Sequence, residues 1–336
     1  MQRPSATSSQ ARPARDPALD VVRGLAILSM YVAHVAPSGG PGQLLNLSEF
    51  LTAPLFALVI GCAAALSASR TRWVAVIVRG AALVGLGLLL DRLGAQVDDI
   101  LPYLGVLVVV AHALALGPRR VTAVITGFFA IAAPVLQSLA RDRLGDALGT
   151  DRSTALLQLV AAGPHYRLVT LVVWAGVGVL VGRFVVRSPQ EFIPFLALPP
   201  LVLTAALLVA KRAGWIDLVP YSGSHVEILM GAAIALSVLI LGVAAARYLR
   251  LGVLARLGRM SLSLYAAQLV LLGAWVGPLG HATDDSWLVL ALLVLISLTL
   301  SEGWRLLSGP GRGPLEWPLD RLARAGQPAA ARRTLP

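Results

Sequence analysis

Ten apolar runs, separated by short polar loops, constrain this chain more than any other feature. The runs are residues 18–37, 48–68, 73–90, 100–116, 119–140, 166–182, 191–210, 225–246, 253–276 and 286–307. Most reach the roughly 20 residues that an α-helix needs to cross a bilayer's hydrocarbon core. They are continuous rather than alternating, which excludes a β-barrel reading. The expected fold is an all-α integral membrane bundle of about ten transmembrane helices, with a disordered tail over 1–17, the bundle over 18–308 and a tail over 309–336. Composition agrees, with 57% hydrophobic and 13% charged residues, where soluble chains carry about a quarter charged.

The net charge of +11 would suggest a nucleic-acid partner in a soluble chain. Here the basic residues fall in alternate loops, which argues against nucleic acid. Arg70, Arg72, Arg119, Arg120, Arg183, Arg187, Arg247, Arg250 and Arg256 join the two tails on one side; the other side holds 38–47, 91–99, 141–165, 211–224 and 277–285. By the positive-inside rule both termini lie in the cytoplasm and the protein is multi-pass in the cell membrane. The loop 141–165 has room for a short surface helix. The segment PLEWPLDRLARAG sets Leu315, Trp317, Leu319 and Leu322 beside arginines and reads as an interfacial helix. The single cysteine, Cys62, excludes an intrachain disulfide, and no histidine pair has metal-ligand spacing, so no metal is expected.

The first run, LDVVRGLAILSMYVAH, carries Asp20, Arg23 and His34. Ionisable groups are expensive in a membrane and mark function. Eleven residues separate Arg23 from His34, three turns plus about 20°, so both lie on one face about 16 Å apart. Gly24, Ile27, Met30 and Tyr31 lie between them. The pair is read as marking two mouths of a passage: Arg23 grips an anionic donor, and His34 does proton chemistry at the outer end. Glu49, at the start of the second run, is at the level of His34 and is placed as its catalytic partner. Asp20 pairs with Arg23 or caps the helix. Arg79 and Arg259, near the cytoplasmic face, join Arg23 in a phosphate cradle. His165 and His225, on the outer side, are placed with Tyr31 in an acceptor pocket.

Several segments resemble, in order, those of the YeiB-like bacterial membrane proteins: LDVVRGLAILSMYVAH, PLFALVIGCAAALS, DDILPYLGVLVVVA, VWAGVGVLVGR, GSHVEILMGAAIALSV, LGRMSLSLYAAQLVLL and RGPLEW. The first is also similar to the opening helix of the heparan-α-glucosaminide N-acetyltransferase group, and its R-x10-H spacing to that of membrane acyltransferases that modify cell-surface sugars. The resemblance implies a transmembrane acyltransferase fold in which acyl-CoA, acetyl-CoA in the simplest case, enters from the cytoplasm and the acyl group reaches a glycan or glycolipid outside. Arg23 would hold the donor, and His34 would be base or acyl relay. The lysosomal enzymes carry their active histidine in the loop before the second helix, and here PSGGPGQLLNLSE has none. The expected partners are membrane lipids and the acceptor, with a homodimer left open. The alternative reading is a transporter or flippase without covalent chemistry.

Overall fold

The computed structural model describes residues 16–145, 152–309 and 311–325. Most of the expected N-terminal tail and the last eleven residues lie outside them. Every described regular element is helical. In chain order they are α1 (Pro17–Val35), α2 (Leu47–Ser67), α3 (Trp73–Leu90), α4 (Leu101–Leu116), α5 (Arg119–Gly145), α6 (Leu168–Arg187), α7 (Leu198–Arg212, after a short turn Ile193–Leu196), α8 (His225–Tyr248), α9 (Gly252–Arg259), α10 (Ser261–Val276), α11 (Trp287–Ser308) and α12 (Glu316–Ala325). The long loop before α6 carries the short helix Arg152–Leu157 and a π turn, Gln158–Ala162.

Each of the ten apolar runs is helical over most of its length. Eight helical spans among the described residues are long and apolar enough to cross a bilayer. These make the chain a multi-pass membrane protein. The run 100–116 forms α4, a 16-residue helix. The run 253–276, expected as one helix, is two, α9 and α10, bent by 74°. Gly258 explains the tight contact at the bend: a Cβ there would sit 1.7 Å from the carbonyl oxygen of Asp20, so α9 lies directly on the backbone of α1. The N–H groups freed at the start of α10, those of Leu262 and Ser263, donate to Glu316 at 2.8 and 3.2 Å. A carboxylate at a helix N-terminus satisfies both the orphan donors and the macrodipole.

The spans sort into two layers. The most hydrophobic windows of α1, α2, α6 and α8 are 61 to 67% buried, whereas those of α3, α5, α7 and α11 are 17 to 33% buried. The first four form the centre, with α2 packed against α1, α4, α6 and α8. Small residues carry these contacts, as they do where no water is available to drive helices together. A Cβ on Gly61 would lie 2.0 Å from Ala175 O, and one on Gly178 would lie 2.1 Å from Leu58 O. The outer four present Leu89, Ile131, Val202 and Leu288 to the surroundings, the surface expected against acyl chains. The amphipathic α12 packs on α3, with Trp317 and Leu322 exposed and Arg321 over the Trp317 ring at 4.6 Å.

The alternation of ends seen in the loops is kept in space. Gln96 donates to Ala282 O, Ser286 N–H to Val35 O, and Arg141 to Ser222 O, so those loops gather at the His34 end. Arg183 reaches Ala65 O, and Arg247 reaches Val186 O and Ser188 O at the other.

Candidate functional site

At the His34 end a pocket of about 370 Å³ empty volume opens between α2, α6, α8 and the segments leading into them. Its wall and floor are Phe50, Pro54, Leu171 and Trp174, with Trp174 held by an indole N–H donated to Ile228 O at 3.0 Å. Gly231 lies against Pro54 and Trp174, where a Cβ would meet them at 2.8 and 3.0 Å. The polar lining is Glu49, His165, Arg167, Tyr221 and Glu227.

Two of those groups build the pocket. Arg167 is 3% exposed. Its guanidinium donates to three carbonyls, Gly163 O, Pro164 O and Tyr221 O, each at 2.8 Å. Burial lowers its pKa, with Arg141 adding to the effect. Glu227 accepts from Tyr221 N–H at 3.1 Å, Gly223 N–H at 2.5 Å and the Ser222 hydroxyl. It lies in the first turn of α8 after the N-cap Ser224, whose hydroxyl accepts the Glu227 N–H. The loop 221–224 is thus pinned from both sides. It holds Tyr221 at φ 57°, a left-handed conformation that non-glycine residues rarely adopt and that clusters at working sites. Burial raises the Tyr221 phenol well above its ordinary range, so it stays a hydrogen-bond donor. Replacing Arg167 by Lys should cost about 2 kcal/mol or more, because an ammonium cannot reproduce a planar fork serving three carbonyls. Thermal unfolding in micelles checks it, and unchanged melting would show that the clamp is dispensable.

Of the other three, Tyr221 is held by that loop, and His165 and Glu49 are available for chemistry. His165 places Nδ1 2.5 Å from Asp98 Oδ2, and its ring meets Tyr221 edge-on at 5.0 Å. Both side chains are about half exposed, 50% and 48%. At that exposure the pair adds little stability. It does fix the imidazole, leaving Nε2 directed away from the carboxylate, as in carboxylate-oriented bases. Glu49, half-buried, accepts no hydrogen bond from any described residue and interacts electrostatically with His165 and Lys211.

The residues singled out from sequence are distributed as follows. His34 is not among the pocket's lining residues and interacts electrostatically with Asp98 and His165. Its Nδ1 is 2.7 Å from the amide nitrogen of Gln268 on α10, which donates to it; Gln268 is 1% exposed and its Oε1 is buried without a partner among the described residues. Only with the amide turned over would Oε1 accept from Nδ1–H and leave Nε2 free as a base. Glu49, expected as the partner of His34, and His165, expected in the acceptor pocket, both line this pocket. His225 does not: its Nε2 is bonded to Ile131 O on α5 at 3.0 Å, because the first turn of α8 points it at that neighbour. Tyr31 is 1% exposed and bonded to Ser297 on α11 at 2.7 Å, a core contact away from the pocket lining.

Arg23 pairs with Asp20 at 2.7 Å, while Asp16 caps α1. The face between Arg23 and His34 is filled: Ile27, Met30 and Tyr31 are each at most 1% exposed, and Gly24 abuts Leu254 O. A passage along that face is therefore closed by packing. Arg79 sits on the exposed flank of α3. Arg259 lines a separate pocket with Arg256 and Arg305, and neither Arg23 nor Arg79 is among its lining residues. Among the described residues no three His, Cys, Asp or Glu side chains group as metal ligands.

Asp98, Arg167, Tyr221 and Gln268 escaped the sequence reading. Asp98 was counted with the loop charges that set orientation; its signal was adjacency to Asp99 directly before an apolar helix. Asp99 is itself engaged, accepting from Tyr265 at 2.6 Å and from Leu101 N–H at 2.8 Å, and burial raises its pKa.

A family model described as "Protein of unknown function (DUF418)" matches residues 192–325, from the lead-in to α7 through α12. That match fits a YeiB-like family. Comparison with curated proteins and with solved structures returned no match.

Proposed function

We propose that the protein is an integral membrane acyltransferase of the cell membrane, with ten spans and both termini in the cytoplasm. It moves an acyl group, acetyl in the simplest case, from cytoplasmic acyl-CoA to a hydroxyl or amine of an envelope glycan or glycolipid. The observation that carries this reading is the Asp98–His165 pair facing unpartnered Glu49 across an aromatic-lined pocket at the end opposite the arginine-rich loops. His34 is the donor-side imidazole: its Nε2 attacks the thioester carbonyl, the C–S bond breaks, and the thiolate leaves and is protonated. His165 then takes the proton of the acceptor as its oxygen or nitrogen bonds to the acyl carbon and the acyl–imidazole bond breaks. Glu49 orients the acceptor. Trp174 and Tyr221 supply the flat apolar surface that sugars stack on.

The second reading, a transporter or flippase, draws on the 74° break between α9 and α10, since broken helices mark many transport sites. Radiolabelled acetyl-CoA supplied to one side of proteoliposomes separates the two. Label on lipid or glycan acceptors of the opposite face is the expected result. Substrate crossing unmodified would favour transport, and if neither label transfer nor crossing is seen the acyltransferase reading has no support.

A further inference from the structure

A second pocket, of about 220 Å³ empty volume, lies at the arginine-rich end where α9 breaks into α10. Its cations are Arg256 and Arg259 of α9 and Arg305 of α11. One carboxylate, Glu302, bridges Arg256 and Arg305, the latter at 2.7 Å. Three guanidinium charges against one carboxylate leave a surplus of two positive charges. The donors are not exhausted by the bridge. The Nε of Arg256 is buried without a partner, and Arg259 makes no ion pair or hydrogen bond with any described residue. Gly309 and Gly311 complete the lining and let a ligand approach the backbone closely.

The adjacent N-terminus of α10 already holds an anion, the carboxylate of Glu316, which is 9% exposed and accepts both N–H groups and the Ser263 hydroxyl at 2.5 Å. That anion belongs to the chain and is fixed, so a ligand in the pocket would be held by the arginines. Leu306 and Leu307, next to Arg305, are 74% and 85% exposed. In a multi-pass bundle they face the acyl region and put the pocket mouth at headgroup depth.

We propose that this pocket binds a phosphate-bearing anion, gripped by Arg259 with Arg256 and Arg305. Planar guanidinium forks match phosphate oxygens in charge and geometry. The phosphate comes from a phospholipid headgroup or from a soluble phosphate compound; the site holds whether or not the chain transfers acyl groups.

The test uses the purified full-length protein in neutral micelles. One arm titrates inorganic phosphate against chloride at constant ionic strength. The other dopes the micelles with phosphatidylglycerol against diacylglycerol. Binding is read as saturable thermal stabilisation. Arg259→Gln should weaken it about tenfold or more in whichever arm responds. Arg305→Gln should weaken it too, and it keeps the test alive if Arg259→Gln is poorly folded. Arg250→Gln, at the same end but outside the pocket, should not change it. A response to phosphatidylglycerol alone assigns a lipid ligand, and one to inorganic phosphate a soluble ligand. Absence of saturable stabilisation in both arms, or equal affinity in folded Arg259→Gln, overturns the site. Neither result bears on His165, so its failure is distinct from failure of the acyltransferase reading.

Discussion

Replacing His165 by Ala is expected to reduce acyl transfer by roughly 10²- to 10⁴-fold, the usual contribution of a positioned base, with the fold intact. The imidazole is half exposed and its pairing with Asp98 lies at the pocket mouth, so its removal opens no core cavity. Asp98→Asn should act in the same direction, because an amide no longer fixes the tautomer that frees Nε2. The two histidines have different expected phenotypes. His34→Ala should abolish the first half-reaction, so that no acyl label is held on the protein. His165→Ala should leave that label in place and block its release to the acceptor. Single-turnover labelling with acetyl-CoA distinguishes them. A folded His165→Ala protein with full transfer would remove this histidine from the chemistry.

The candidate site was half legible in the sequence, for a physical reason. Helical periodicity places Arg23 and His34 on one face of α1, but periodicity does not say what packs on that face. Ile27, Met30 and Tyr31 turn out to be among the most buried side chains in the chain. Glu49 and His165 were visible as polar residues beside outer loops. Their meeting depends on α2 and α6 lying side by side and on Arg167 and Glu227 folding the loops between them, long-range facts that spacing does not contain. Asp98 is 67 residues from His165 in the chain, and nothing local announces the pair.

The fold was far more legible, because hydrophobic length is a local property. Each run of the sequence became helical, and the loop charges sorted to two ends. The misjudged region is 253–276. Its composition is that of one continuous helix, and the bend is imposed from outside, by the backbone of α1 against Gly258 and by Glu316 taking up the N–H groups that the break exposes.

The same close approach makes the α2–α6 seam the place where one substitution should do most damage to the fold. A Cβ on Gly178 would lie 2.1 Å from Leu58 O and 2.9 Å from Leu58 C, which are backbone atoms that no rotamer change can move aside. Gly61 is in the reciprocal position against Ala175 O at 2.0 Å. Gly178→Leu must therefore push two central helices apart, and α2 also touches α1, α4 and α8. Overpacking a core typically costs 1–3 kcal/mol, and at a backbone contact about 3 kcal/mol or more is expected here. The readout is loss of monodisperse protein in micelles or a large drop in melting temperature. Gly85→Ala is the matched control: it lies inside α3 with nothing within 4 Å of its Cβ position, and helix propensity alone should make it neutral or stabilising by about 0.5–1 kcal/mol. If both variants melt alike, close packing at small residues is not what holds the inner layer together, and the burial that separates α1, α2, α6 and α8 from the outer helices would need another cause.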